Sequence, residues 1–130
     1  MVLNDPVSNA LSKIMNAEKA TKRDCVVKPF SKTLKEVLRI MNERMYIGGI
    51  TEHQDGKGNF LKVDLIGRIN GCNAIKPRHS VKKGQFEKFE KRYLPAREFG
   101  MLVVSTSQGI MAHEDAKKKR IGGRLIAYVY

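Results

Sequence analysis

The stretch Arg97–Arg124, REFGMLVVSTSQGIMAHEDAKKKRIGGR, decides how this chain is read. It opens as an apolar strand, Phe99 to Val104, and then presents three consecutive hydroxyls, Ser105, Thr106 and Ser107, where the strand is expected to run out into Gln108 and Gly109. An apolar pair, Ile110 and Met111, follows, and then a brief helical pattern carrying Lys117, Lys118, Lys119 and Arg120 without interruption. Gly122 and Gly123 stand where helices commonly stop. The physical content is a loop of small polar donors and acceptors, held on a strand, beside concentrated positive charge.

Those two features serve different purposes at a nucleic-acid surface. Basic side chains neutralise phosphates and supply affinity that is largely independent of sequence. Short hydroxyl side chains can enter a shallow groove and hydrogen-bond base edges and the ribose 2′-OH. A blander account stands beside this one: a Ser/Thr run can be only the end of a strand, and four consecutive cations only a solvated helix face.

On the C-terminal side, Arg124 to Tyr130 reads as the last strand. Its alternation would place Leu125, Ala127 and Val129 on one face and Ile126, Tyr128 and Tyr130 on the other, so both faces are expected to be covered. On the N-terminal side, Phe86, Phe89 and Tyr93 predict a short helix over Gln85–Tyr93 buried on its aromatic side and stopped by Leu94-Pro95. Before it, Gly71, Pro77 and Gly84 punctuate short strands or loops dense in Lys76, Arg78, His79, Lys82 and Lys83.

The first half has a different pattern. Asn4 or Asp5 followed by Pro6 is a helix start, and Val7, Ala10, Leu11, Ile14 and Ala17 mark one face of a helix running to about Ala20. Cys25-Val26-Val27 reads as a strand ended by Pro29. Ser31 opens a second helix with Leu34, Val37, Leu38, Met41 and Met45 toward the core, and Gly48-Gly49 closes it. Ile50–His53 and Phe60–Leu65 read as a hairpin, because Asp55-Gly56 and Gly58-Asn59 supply the positive φ angles of a reversal. The GKG within it lacks the Lys-Ser/Thr ending and the strand-to-helix context of a phosphate loop. The fold class is α+β in two small lobes, residues 1–66 with helix, strand, helix and hairpin, and residues 67–130 rich in strands with short helices.

The chain has 130 residues, 42% of them hydrophobic, enough for a modest core. It carries 25 Lys+Arg against 13 Asp+Glu, a formal charge of +12 and a pI near 9.9. Residues 1–65 hold 11 basic and 8 acidic side chains (+3), and residues 66–130 hold 14 and 5 (+9). A polyanion is the economical partner for that second half. A membrane is not indicated, since there is no basic amphipathic helix with a broad aromatic face and no apolar run of spanning length. Cys25 and Cys72 form no CxxC and have no nearby histidine pair, so two free thiols in a reducing compartment are expected, with no metal and no cofactor. The start, MVLNDPVSN, has neither a secretory nor a transit pattern, which predicts a cytosolic protein.

Catalysis finds little support. Ser105, His113 and Asp115 are the residue types of a hydrolytic triad, but no GxSxG turn surrounds the serine, and a helical i, i+2 pair points in different directions. His113 is expected to be a surface or packing histidine. No small-molecule substrate is indicated, and a free-standing RNA-binding translational regulator is the reading physics leaves open beside a ribosomal one.

Gly100, Val103, Val104, Ser105, Thr106, Gly109, Ile110, Met111, Ala116 and Lys117, at this spacing, resemble the C-terminal motif of the universal small-subunit ribosomal protein family S-eight. The Gly122-Gly123 pair and the ending Leu125–Tyr130 fit the same pattern, and the match runs over essentially the whole chain. Leu94-Pro95, Arg97, Phe99-Gly100 and the segment Gln54 to Asn59 resemble the archaeal and eukaryotic branch, whose eukaryotic member is called S-fifteen-a. The resemblance implies a structural constituent of the small subunit that binds the central domain of its rRNA early in assembly and touches neighbouring ribosomal proteins, in the cytoplasm, with nucleolar transit in a eukaryote. It implies discriminating contacts from Ser105, Thr106 and Ser107, with Gly109, Gly122 and Gly123 allowing close approach. The expected RNA-binding set adds Gln108, Lys117, Lys118, Lys119, Arg120, Arg124, Arg78 and Lys82.

Overall fold

The computed structural model describes residues 6–27, 32–56, 58–76, 78–96 and 99–130. The helix starts expected at Asn4 or Asp5 and at Ser31, together with Pro29, Pro77 and Arg97, lie outside them. The chain divides between Ile69 and Asn70 into two compact units.

The first unit runs α1 (Pro6–Lys19), β1 (Asp24–Val27), α2 (Lys32–Glu43), β2 (Ile47–Asp55), β3 (Gly58–Leu65). Its antiparallel sheet has the order β1-β3-β2. Both helices form for the reason their spacing implies: Val7, Ala10, Leu11 and Ile14 on α1, and Leu34, Val37, Leu38 and Met41 on α2, are all at most 1% exposed. They pack over the sheet face that carries Leu61 and Val63. Burying each of the valine, leucine, isoleucine and methionine side chains contributes about 1.5–3 kcal/mol.

Two expectations fail at the end of α2. The helix stops at Glu43, and Met45 adopts a left-handed φ of 65° while the Tyr46 N–H donates to the Met41 carbonyl at 2.9 Å. Met45 is thereby turned out, 61% exposed, instead of joining the core. Gly48 and Gly49 do not end the helix; they lie in β2 at the register irregularity between Ile47 and Ile50. A Cβ on Gly48 would sit 3.1 Å from that of Asp64 on β3. The hairpin itself forms, with strands longer than expected and Asp55 paired to Gly58.

The second unit runs β4 (Cys72–Ala74), β5 (Ser80–Val81), α3 (Phe86–Tyr93), β6 (Met101–Thr106), β7 (Gly109–Ala112), α4 (His113–Lys119), β8 (Gly123–Val129). Its antiparallel sheet has the order β4-β8-β6-β7, with β5 paired to the start of β8. One core gathers Val81, Phe86, Phe89, Leu102, Val104, Met111, Ala116 and Leu125. Strand β6 begins at Met101, two residues later than expected, because Gly100 takes φ 90° and leaves Phe99 49% exposed in an isolated bridge to Ala96. Tyr93 is half-buried and stacks on Tyr128 at 5.7 Å.

Strand β8 departs from simple alternation. Val103 pairs with Ala127 but Val104 pairs with Leu125, so Ile126 is a bulged extra residue. The faces swap there, and Leu125 packs in the same core as Tyr128 and Tyr130. Residues of both faces are nonetheless buried: Leu125, Ile126, Ala127 and Val129 are at most 2% exposed.

Candidate RNA-binding surface

The hydroxyl run is the tip of a β-hairpin, not a loop beyond a strand. Strand β6 continues through Ser105 and Thr106, the reversal is Ser107-Gln108, and Ile110 and Met111 belong to the returning strand β7. Thr106 pairs with Gly109, whose φ of 112° is a conformation L side chains rarely adopt. The Thr106 hydroxyl donates to the Gly109 carbonyl at 2.7 Å and accepts the Gln108 N–H at 3.1 Å. It therefore staples the turn. Ser105 and Ser107 are exposed and make no side-chain hydrogen bond to a described residue, so two of the three hydroxyls are available to a ligand. Gln108 and Gly109 are exposed beside them.

Next to this tip the chain comes in closer than a side chain would allow. Helix α4 does not end at the glycines: Arg120 caps it with φ 57°, and the Ile121 N–H donates to the Ala116 carbonyl at 3.1 Å. Gly122 and Gly123 serve strand packing instead. A Cβ on Gly122 would lie 2.3 Å from the Val81 carbonyl oxygen, and one on Gly123 would lie 2.3 Å from that of Ser105. Their bareness lets β8 thread between β5 and β6. Arg124 then pairs with Ser105 on one side and Ser80 on the other, and Ser105 pairs with Ile110. Directly paired residues share a face, so Ser80, Arg124 and Ser105 form an exposed row of hydroxyl, guanidinium and hydroxyl. It lies on the face opposite Val81, Val104 and Leu125. Ser80 belongs to this row although nothing in its local sequence marks it.

The basic run on α4 is not a uniform surface. Lys118, Lys119 and Arg120 are exposed, whereas the Lys117 ammonium donates to Glu90 Oε1 on α3 at 2.5 Å. The same carboxylate faces His113 Nε2 at 2.8 Å, and His113 Nδ1 accepts the Leu102 N–H at 3.0 Å. With Nδ1 accepting, Nε2 carries the proton and donates to Glu90. Burial holds His113, 3% exposed, below the ordinary histidine range; Glu90 pulls upward and Lys117 downward. For Glu90, burial pushes upward, but the hydrogen bond from Lys117 and the charges and hydrogen bond around it leave the carboxyl below its ordinary range. This partly buried cluster joins α3, α4 and β6. It also leaves neither ring nitrogen of His113 for Ser105.

Lys82 is exposed on the turn against which Gly122 packs. Arg78 is exposed on the segment bonded to β8 through the His79 carbonyl, which accepts the Leu125 N–H at 2.9 Å. The expected residues thus gather at one end of the second sheet, with Lys117 turned partly to an internal role. Among the described residues no group of three or more potential metal ligands occurs, and no helix is long and apolar enough to cross a membrane.

The family model described as Ribosomal protein S8 matches residues 5–130. That span includes both units and every element of the hairpin surface. The chain therefore belongs to the ribosomal protein S8 family, non-enzymatic structural proteins of the small ribosomal subunit that bind ribosomal RNA and act in translation.

Proposed function

We propose that this chain binds a helix in the central domain of small-subunit rRNA and supports early assembly of the subunit, with the second unit supplying the discriminating contacts. The observation that carries this reading is the hairpin tip. Two exposed, unengaged hydroxyls, Ser105 and Ser107, are presented there, with Ser105 paired directly to Arg124 on backbone brought close by Gly122 and Gly123. Hydroxyls of this size reach into the shallow minor groove of A-form RNA, where base edges and the 2′-OH are offered. Lys82, Lys118, Lys119 and Arg78 supply the phosphate attraction around them. The first unit, with only +3 in residues 1–65, contacts RNA backbone and neighbouring ribosomal proteins. The archaeal and eukaryotic branch is the best fit to Leu94-Pro95 and Phe99-Gly100, and in a eukaryote it implies nucleolar transit before work in the cytoplasm.

The test is sedimentation of the endogenous protein through a gradient in high salt. Quantitative recovery with small subunits is expected. A free pool as the major form would favour a translational regulator acting away from the ribosome.

A further inference from the structure

The second unit carries a groove that the hairpin contacts do not use. It lies on the helix side of the sheet, between the C-terminal end of α4 and the turn before α3, with a volume of about 430 Å³. Phe86, Ala116 and Ile121 give it an apolar lining, and its charged residues are Lys83, Lys117, Arg120 and Glu87. Lys117 is held by Glu90, and Glu87 faces Lys91 at 3.8 Å. Lys83 and Arg120 form no ion pair with a described residue, so the groove keeps two uncompensated cations over an apolar floor.

Arg120 sits there at a backbone cost. Its φ of 57° is one that glycine adopts freely and a residue with a Cβ does not. Thr21 and Met45 have similar φ values, 56° and 65°, after α1 and α2, so the backbone alone does not single Arg120 out. Its setting does: of the three, Arg120 is the one that brings a cation to a groove already holding another.

We propose that Lys83 and Arg120 hold one phosphodiester of the bound RNA in this groove, a site separate from the hydroxyl hairpin. The inference rests on the RNA-binding reading above and adds a second point of engagement to it. Two cations with no carboxylate partner of their own, beside an apolar floor, suit the oxygens of a phosphodiester. The row of Ser80, Arg124 and Ser105 lies on the opposite face of the same sheet. An RNA engaged by both therefore passes around the edge of that sheet.

The test uses the full chain, a labelled rRNA helix and an unrelated duplex, titrated over a series of salt concentrations. Arg120→Gly is expected to melt at or above the parent temperature, since the strain is relieved. Its affinity for both RNAs should fall on the order of tenfold, and the slope of log K against log salt should shrink by about one. Lys83→Gln should act alike, and Ser107→Ala should multiply with either, because the sites are separate. Parental affinity and slope in both Arg120→Gly and Lys83→Gln would overturn the site. So would loss of binding in Arg120→Gly that tracks a lower melting temperature while Lys83→Gln is silent, which would make Arg120 a folding residue. A parent that binds both RNAs equally would refute the discriminating hairpin, while the salt slopes still decide the groove; a parent that binds neither would overturn both.

Discussion

Replacing Gly123 with alanine tests whether the glycine pair is there for the chain's own packing. The added Cβ would lie 2.3 Å from the Ser105 carbonyl oxygen, 2.7 Å from Val104 Cγ1 and 3.0 Å from the Ser105 carbonyl carbon. The nearest of these is backbone, so no side-chain rotation relieves it. Strand β8 must move away from β6 by roughly an ångström to restore a normal contact of about 3.5 Å. Overpacking of this kind costs about 1–3 kcal/mol, and loss of one or two ladder hydrogen bonds around the Ser105–Arg124 pair adds about 1 kcal/mol each. We expect a loss of about 3 kcal/mol, read as a fall in melting temperature of roughly 10 °C for a chain of this size. Cognate RNA affinity should fall with it, because Ser105 and Arg124 are the residues displaced. Gly56→Ala is the control: a Cβ there meets nothing within 4 Å, and its effect should stay within about 0.5 kcal/mol. A Gly123→Ala protein that melts and binds like the parent would refute the close-approach argument.

Three further outcomes follow from the geometry. Thr106→Val keeps the shape but removes the hydrogen bonds to the Gly109 carbonyl and from the Gln108 N–H. It should lower the denaturation midpoint by about 1–2 kcal/mol; an unchanged midpoint with lost cognate binding would move this hydroxyl from the turn to the RNA. For His113 the folded pKa lies below the ordinary value of about 6.5, so below that pH the unfolded chain binds more protons than the folded one. Stability is full above about 6.5 and falls as pH drops toward the folded pKa, by at most about 1.4 kcal/mol per pH unit from this group. Glu90, also lowered, adds loss below its ordinary range. Melting curves from pH 7 to 5 should show the decline and His113→Asn should flatten it; a flat parent profile would contradict the buried neutral histidine. Leu38→Ala, at a side chain with no exposure, should cost about 2–5 kcal/mol while RNA affinity of the folded fraction is unchanged; lost affinity at parental stability would make α2 a contact helix.

The amphipathic helices were legible because burial on one face writes itself into spacing: the stripe residues on α1 and α2 are buried, Met45 excepted, and Ile40 joins them. Met45 was misread because the helix ends two residues earlier, in a left-handed turn without glycine. The same device at Arg120 hid the end of α4 and made Gly122 and Gly123 look like its stop. Strand β7 was missed because four residues, GIMA, are too short for a period to show. The two-residue reversal followed by a glycine between two apolar runs was the signal that could have found it. No local pattern predicts the bulge at Ile126 or the meeting of Glu90 with Lys117, since both depend on register and on residues far apart in the chain. At the site, the place of the hydroxyls was readable, but which of them is free was not. That depends on turn geometry, which commits Thr106 and releases Ser105 and Ser107.

On our proposal, uncharged hydroxyls at the hairpin tip discriminate cognate RNA. The most direct test is an equilibrium titration of Ser105→Ala and Ser107→Ala against the central-domain rRNA helix and a scrambled duplex. Neither change alters charge, so non-specific affinity and the salt slope should match the parent. Cognate affinity should fall by roughly 1–3 kcal/mol as an RNA group loses its partner, with Ser107 expected to matter more. If both variants bind the cognate helix as the parent does, the tip is only the end of a strand and the discriminating contacts lie elsewhere.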